Sequence, residues 1–152
     1  MGFYIVQTVM GIIGSLGFAV LFGVIDRKLF WIAAGSGIGW AVYLLCAARG
    51  YGMFMGLFGA SLFVGLLSEI LARILKTPVI LMLVPMLIPE IPGGDLYYTM
   101  HDLVQGHYVE FGNSSNQVLM EAAAIALGII LASYVAKFVR SIRIHVLKHS
   151  LW

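Results

Sequence analysis

Five long apolar stretches, separated by short polar punctuation, organise this sequence. Residues Phe3 to Ile25 carry no charge and stop at Asp26-Arg27-Lys28. Leu29 to Ala48 follow, closed by Arg49-Gly50, and then Tyr51 to about Ala72, with Glu69 and Arg73 near the end. The fourth stretch runs from Val79 to about Tyr98 and the fifth from about Val118 to Val139. Each is close to the roughly 20 residues that a helix needs to cross hydrocarbon. The pattern predicts an all-α polytopic membrane protein of five spans, forming a single integral membrane domain over 1–152. The first stretch lacks a basic leader, so it reads as a retained span and not as a cleaved signal.

The fourth stretch departs from the others. All 4 prolines of the chain, Pro78, Pro85, Pro89 and Pro92, fall in it or at its start. A proline lacks the N–H of a regular helix and clashes with the carbonyl four residues back. Pro85, Pro89 and Pro92 therefore predict a broken helix in which the carbonyls of Leu81, Pro85 and Ile88 are freed along one strip. The residues before each proline are pushed towards extended conformations. The helix is expected to end near Val84 or Ile88 and to give way to an extended, hairpin-like stretch. Gly93-Gly94 then permits positive φ or close approach of a ligand. Broken helices at membrane depth survive only where protein or water satisfies their backbone, and transporters build their sites on them. Freed carbonyls suit a cation, and free N–H groups at a helix start near Gly94 or Asp95 suit a carboxylate. The plain alternative is a proline-kinked helix with a glycine turn at the membrane surface.

Composition agrees with the span pattern. Mean hydropathy is +0.99, and 61% hydrophobic against 11% charged residues lies far from soluble averages. The formal charge of +2 is small and gathered near span ends, which argues against nucleic acid as a partner. The single Cys46 excludes an internal disulfide and reads as small-residue packing. Of the 9 Lys and Arg residues, only Arg49 falls outside if the N-terminus is outside and the C-terminus inside. Arg27, Lys28, Arg73, Lys76, Lys137, Arg140, Arg143 and Lys148 are then all cytoplasmic, as the positive-inside rule requires. The 95–117 connection holds no Lys or Arg and reads as a long outer loop. The basic tail after the fifth span reads as a helix end anchored at anionic membrane lipid. The 18 glycines, among them Gly11, Gly14 and Gly17, Gly35, Gly37 and Gly39, and Gly52, Gly56 and Gly59, predict close helix packing.

Ionisable groups inside spans are costly and mark function. Glu90, between two prolines, is the first candidate for a protonatable group, and Asp95 follows the glycines. Glu69 and Glu121 are secondary candidates: Glu69 pairs with Arg73 at i,i+4, and Glu121 reads as a carboxylate at the N-terminus of the fifth helix. Ser114-x-x-Gln117 reads as a capping box for that helix. His101, Asp102, His107 and Glu110 match no zinc spacing and read as a solvated loop, so no metal and no cofactor is expected.

The stretch Leu83-Val-Pro85-Met-Leu-Ile-Pro89-Glu90-Ile-Pro92-Gly93-Gly94-Asp95-Leu-Tyr97-Tyr98-Thr99-Met100 resembles the proline-glycine-tyrosine signature of the bacterial threonine/serine exporter family. In length and span number the chain is similar to the short five-span membrane subunit equivalent to the C-terminal half of full-length members. Two positions depart from the family pattern: Met86 stands where glycine is usual, and Glu90 where an apolar residue is usual. The resemblance therefore does not carry Glu90 as a shared group, and leaves it as a candidate for tuning this protein's substrate. The resemblance implies proton-driven export of threonine and serine, or of dicarboxylates such as succinate, across the bacterial cytoplasmic membrane. It implies a larger five-span partner subunit, with a homo-oligomer as a further option. The pathway it implies contains Pro85, Pro89, Glu90, Pro92, Gly93, Gly94, Asp95, Tyr97 and Tyr98.

Two other readings stay open at this stage: a structural or scaffolding membrane subunit, and a homo-oligomeric channel. An intramembrane enzyme is disfavoured, because Ser61, Ser68, His101 and Asp102 offer no arrangement of nucleophile, base and orienter.

Overall fold

The structure, a computed structural model, describes residues 2–149, with side-chain surroundings for all of these except Phe3 and residues 143–149. Six α-helices follow one another: α1 (Gly2–Leu21), α2 (Lys28–Ala48), α3 (Gly52–Ile74), α4 (Val79–Leu87), α5 (Gly93–Gln105) and α6 (Tyr108–His149). A single 3-10 turn, Ile88–Glu90, continues α4. Within α1, α2, α3 and α6 lie segments long and apolar enough to cross a membrane, and α4 with its turn and α5 form a bent pair at 61°. The all-α polytopic expectation is borne out, and the broken fourth span falls where the prolines put it.

The nine residues of α4 and the three of the turn rise roughly 18 Å at 1.5 Å per residue, short of the roughly 30 Å hydrocarbon core. The tilted α5 therefore has to complete any full crossing. The break itself is smaller than the sequence suggests. Pro85 is accommodated inside α4, and its carbonyl accepts from the Ile88 N–H. The Ile88 carbonyl accepts from the Ile91 N–H at 3.3 Å. Two of the three carbonyls expected to be free are thus re-bonded by 3-10 tightening. The extended stretch shrinks to Ile91 (φ −70°, ψ 125°). Pro92, with φ −75° and ψ 57°, then forms an inverse γ-turn. That turn is closed by the Gly93 N–H on the Ile91 carbonyl at 2.7 Å. Gly93 and Gly94 do not adopt positive φ, among the described residues; they open α5 as ordinary helical residues.

The outer loop is also corrected. Residues 95–117 form a helical hairpin, α5 turning into α6 at Gly106. Gly106 has φ 78°, and the His107 N–H reaches back to the Asp102 carbonyl at 2.9 Å while Gly106 bonds to Leu103 at 3.2 Å. This is the paired bonding of a Schellman stop, for which a residue without Cβ is favoured. The polar run Asn113 to Gln117 does not break α6, because α5 supplies partners: Ser114 Oγ lies 3.5 Å from Asp102 Oδ2, and Gln117 Nε2 3.5 Å from Asp95 Oδ2. The capping-box reading of Ser114 and Gln117 therefore falls. So does the reading of Glu121 as a helix start, since α6 begins at Tyr108.

The core sits where α4 is wrapped by α1, α2 and α3, around Ile32, Val64, Leu71, Met82 and Met86. Close approach rests on glycines. A Cβ at Gly65 would lie 2.6 Å from the Ala132 Cβ, and one at Gly128 would run into the Ser61 hydroxyl and the Phe58 backbone. The α3–α6 crossing therefore depends on missing side chains at both points. Gly11 and Gly14 of α1 face Pro89 and Ile88, at 3.1 and 3.5 Å from a built Cβ. Gly17 and Gly52, also expected to pack, face open space. The basic tail expectation at Arg143 and Lys148 lies outside the residues whose side chains are described.

Candidate functional site

The helix break opens a cleft of about 110 Å³. The break itself supplies Pro89, Glu90, Ile91 and Pro92, and α5 supplies Asp95. From α2 come Trp40 and Tyr43, from α3 Met53 and Leu57, and from α6 Glu121. Ligand pockets for drug-sized molecules run to roughly 300–1,000 Å³, so this cleft accepts a molecule of only a few heavy atoms. A larger groove of about 640 Å³ lies between α1 and α2, but Tyr4 apart it is lined by aliphatic side chains and holds no carboxylate.

Glu90 reaches this position because the 3-10 turn rotates it towards α2, where Gly39 leaves room. A Cβ built on Gly39 would lie 2.8 Å from Glu90 Oε1 and 2.6 Å from Val64 Cγ2. One helical turn earlier the same device repeats: a Cβ on Gly35 would lie 2.7 Å from Met86 Sδ. Met86 and Glu90 are thus seated on two glycines spaced by one turn of α2. Glu90 is 2% exposed, and both its carboxyl oxygens are buried with no hydrogen-bond partner. A buried unpartnered carboxyl is expensive, by several kcal/mol as an uncompensated ion, so the site is complete only when a proton or a cationic group joins it.

Glu121 is also 2% exposed. Its Oε1 accepts from Gln117 Nε2 at 3.2 Å, while its Oε2 has no partner. Gln117 also approaches Asp95, tying the first turn of α5 to α6 across the mouth of the cleft. On the opposite wall the rings of Trp40 and Tyr43 lie 4.9 Å apart at a 32° tilt, and the buried Trp40 Nε1 has no acceptor. The cleft thus combines three carboxyl groups, one orphan indole N–H and apolar walls, and among the described residues no Lys, Arg or His lines it.

Of the residues read from sequence, the structure brings together Pro89, Glu90, Pro92, Asp95 and Glu121. Pro85 is buried in α4 behind the cleft. Gly93 and Gly94 sit at the rim with open space around them. Tyr97 and Tyr98 are 66% and 64% exposed and pack on each other edge-on, outside the cleft. Glu69 pairs with Arg73 at 3.2 Å, as its spacing predicts, and does not line the cleft. His101 and Asp102 lie on α5, 3.8 Å apart, and among the described residues no group of three or more His, Cys, Asp or Glu is placed to hold a metal ion. Sequence reasoning missed Trp40, Tyr43 and Gln117. A signal existed for the first two: aromatic residues with polar atoms, spaced i,i+3 within a span and directly after Gly39, the glycine that makes room for Glu90.

No curated protein and no solved structure matches the chain. Residues 7–135 match the model of the family described as threonine/serine exporter, ThrE. That match covers most of the chain and all of the cleft, and with four apolar helices and a bent fifth pair around it, the chain is a multi-pass membrane protein belonging to the threonine/serine exporter family.

Proposed function

We propose that this chain is the small subunit of a secondary-active exporter whose substrate passes through the cleft at the α4–α5 break. The observation that carries the reading is Glu90: a carboxyl buried in an otherwise apolar segment, without a protein partner, at the break of an interrupted helix. Intramembrane ionisable groups of this kind belong to substrate and proton pathways. Glu90 accepts either the substrate's ammonium or a proton, and alternation between the two couples export to the proton gradient. The first-turn N–H groups of α5 at Gly94 and Asp95 have no intrahelical acceptor and receive the substrate carboxylate. Small amino acids such as threonine and serine match both ends and the volume. The positive-inside charge bias supports an N-outside, C-inside orientation in a bacterial cytoplasmic membrane. The similarity to the C-terminal half of full-length exporters supports a larger partner subunit that closes the open side of the cleft. The whole chain then works as one integral membrane domain.

The test is threonine efflux from cells producing the full chain with its partner. Glu90→Gln keeps shape and removes the charge; efflux falls at least tenfold while the protein remains in the membrane at normal level. Undiminished efflux from that variant removes Glu90 from the pathway, and a chain serving only as a scaffold would give that result.

A further inference from the structure

The exporter reading leaves the way out of the cleft unassigned. We infer that the α5–α6 seam is the outward gate of the pathway: α5 parts from α6 along a row of polar side chains, and the substrate leaves between the two helices. This rests on the proposed pathway and adds its exit.

The seam begins at the cleft. Asp95 of α5 and Glu121 of α6 both line the cleft, and the Gln117 amide bridges them, 3.5 Å from Asp95 Oδ2 and 3.2 Å from Glu121 Oε1. Glu121 is 2% exposed and its other oxygen has no partner, so a buried polar atom stands unmet where cleft and seam join. From there the seam follows α5. Thr99 is 2% exposed, and Asp102 Oδ2 lies 3.5 Å from Ser114 Oγ. Asp95, Thr99 and Asp102 are spaced i, i+4, i+7 and so share one face of α5. Leu96, Tyr97, Met100, Leu103 and Val104 are 40–83% exposed. α5 therefore turns its polar side to α6 and its apolar side away. Polar side chains turned inward in a membrane protein line water-filled paths.

Two features set this seam apart from a permanent helix contact. The α3–α6 crossing closes on Gly65 and Gly128, where a Cβ has no room, whereas Gly93, Gly94, Gly106 and Gly112 beside the seam all face open space. Close approach over small residues is what holds helices together in lipid, and the seam relies instead on long polar contacts that water replaces at little net cost. α5 is also bounded by a backbone break at each end, the Pro92 turn before Gly93-Gly94 and Gly106 in left-handed conformation. Residues at element ends absorb the backbone change of a hinge.

The test uses the Cys46→Ala chain carrying Asp102→Cys and Ser114→Cys, produced in cells with its partner. Oxidation closes a disulfide across the seam. Threonine efflux from the oxidised protein is expected to fall at least tenfold below that of the same protein reduced, and reductant restores it. In parallel, spin labels on Leu96→Cys and Leu127→Cys are placed in the protein co-purified with its partner into lipid nanodiscs. They are expected to report two separations whose balance shifts on adding threonine. Equal efflux from the oxidised and reduced forms overturns the gate and leaves the exporter reading standing. Failure of the cysteine pair to cross-link overturns it too. So does a single label separation unmoved by threonine, which decides the matter even where the double variant exports in neither state. Absence of threonine efflux from the unmodified chain removes the exporter reading and the gate with it.

Discussion

Adding one methyl group at Gly128 and one at Gly35 separates backbone crowding from side-chain crowding. At Gly128 a Cβ would stand 2.8 Å from the Phe58 carbonyl oxygen and 2.9 Å from the Leu62 nitrogen, besides striking the Ser61 hydroxyl. Carbon normally rests roughly 3.5–4.0 Å from another heavy atom, and backbone of a packed helix cannot rotate away. The α3–α6 crossing has to open by most of an ångström. Overpacking of this kind costs about 1–3 kcal/mol or more, against which the gain in helix propensity from glycine to alanine is about 1 kcal/mol. With rigid backbone as the obstacle the cost falls at the upper end of that range, so Gly128→Ala is expected to destabilise the fold by about 2 kcal/mol. At Gly35 the obstruction is the far end of Met86, Sδ at 2.7 Å and Cε at 2.9 Å, together with Leu67 Cδ2 at 3.2 Å. A flexible thioether can re-orient, so Gly35→Ala comes out within about 1 kcal/mol of neutral once the same propensity gain is counted. Both variants would be purified in one detergent and unfolded thermally and with SDS, following helical circular dichroism. A Gly128→Ala protein as stable as the parent, or a Gly35→Ala protein less stable than Gly128→Ala, would refute the distinction between rigid and yielding neighbours.

Gln117→Leu removes a side chain that bridges Asp95 and Glu121. Loss of the one bond that crosses from α6 to α5, at about 1 kcal/mol, should loosen α5 from α6, seen as faster amide exchange in 93–105 with the middle of α3, 60–70, unaffected. Gly106→Ala forces a Cβ into left-handed backbone (φ 78°) at about 1–2 kcal/mol. Increased protease cutting at the α5–α6 turn is the readout, and an unchanged digestion pattern would count against the turn as drawn. Glu69→Gln breaks an ion pair whose arginine side chain is 49% exposed. Such pairs contribute under about 1 kcal/mol, so stability should shift little; a large drop would show that Arg73 at its 3.4 Å contact with the Ala136 carbonyl depends on Glu69 for its position.

Much of the architecture was legible from hydropathy because lipid leaves few options: a long apolar run becomes a helix whatever its fine sequence. Proline spacing located the break, and Glu90 was found by its incongruity in an apolar segment. What was illegible depended on partners distant in sequence. The freed carbonyls of Pro85 and Ile88 were invisible as satisfied, because 3-10 tightening is a choice made by packing against α1 and α2. The Asn113 to Gln117 run looks like a loop until Asp95 and Asp102 of α5 are placed beside it. Glu121 reads as a cap only while the helix is thought to start nearby. Trp40 and Tyr43 reach the cleft through the α2 register, and nothing local to them says which neighbour they meet.

The two glycines of α2 that receive Met86 and Glu90 have a consequence for how this chain and its relatives diverge. Each seat and its occupant form a steric unit, so substitutions at 35 and 86, and at 39 and 90, are constrained to change together. A relative with glycine at the position of Met86 has space for a side chain opposite, at the position of Gly35. A relative with a short apolar residue in place of Glu90 can carry alanine in place of Gly39 if the neighbour at Val64 is also smaller, since Val64 Cγ2 presses on the same point. Paired covariation of 35 with 86 and of 39 with 90 is the signature that this packing predicts for an alignment of relatives.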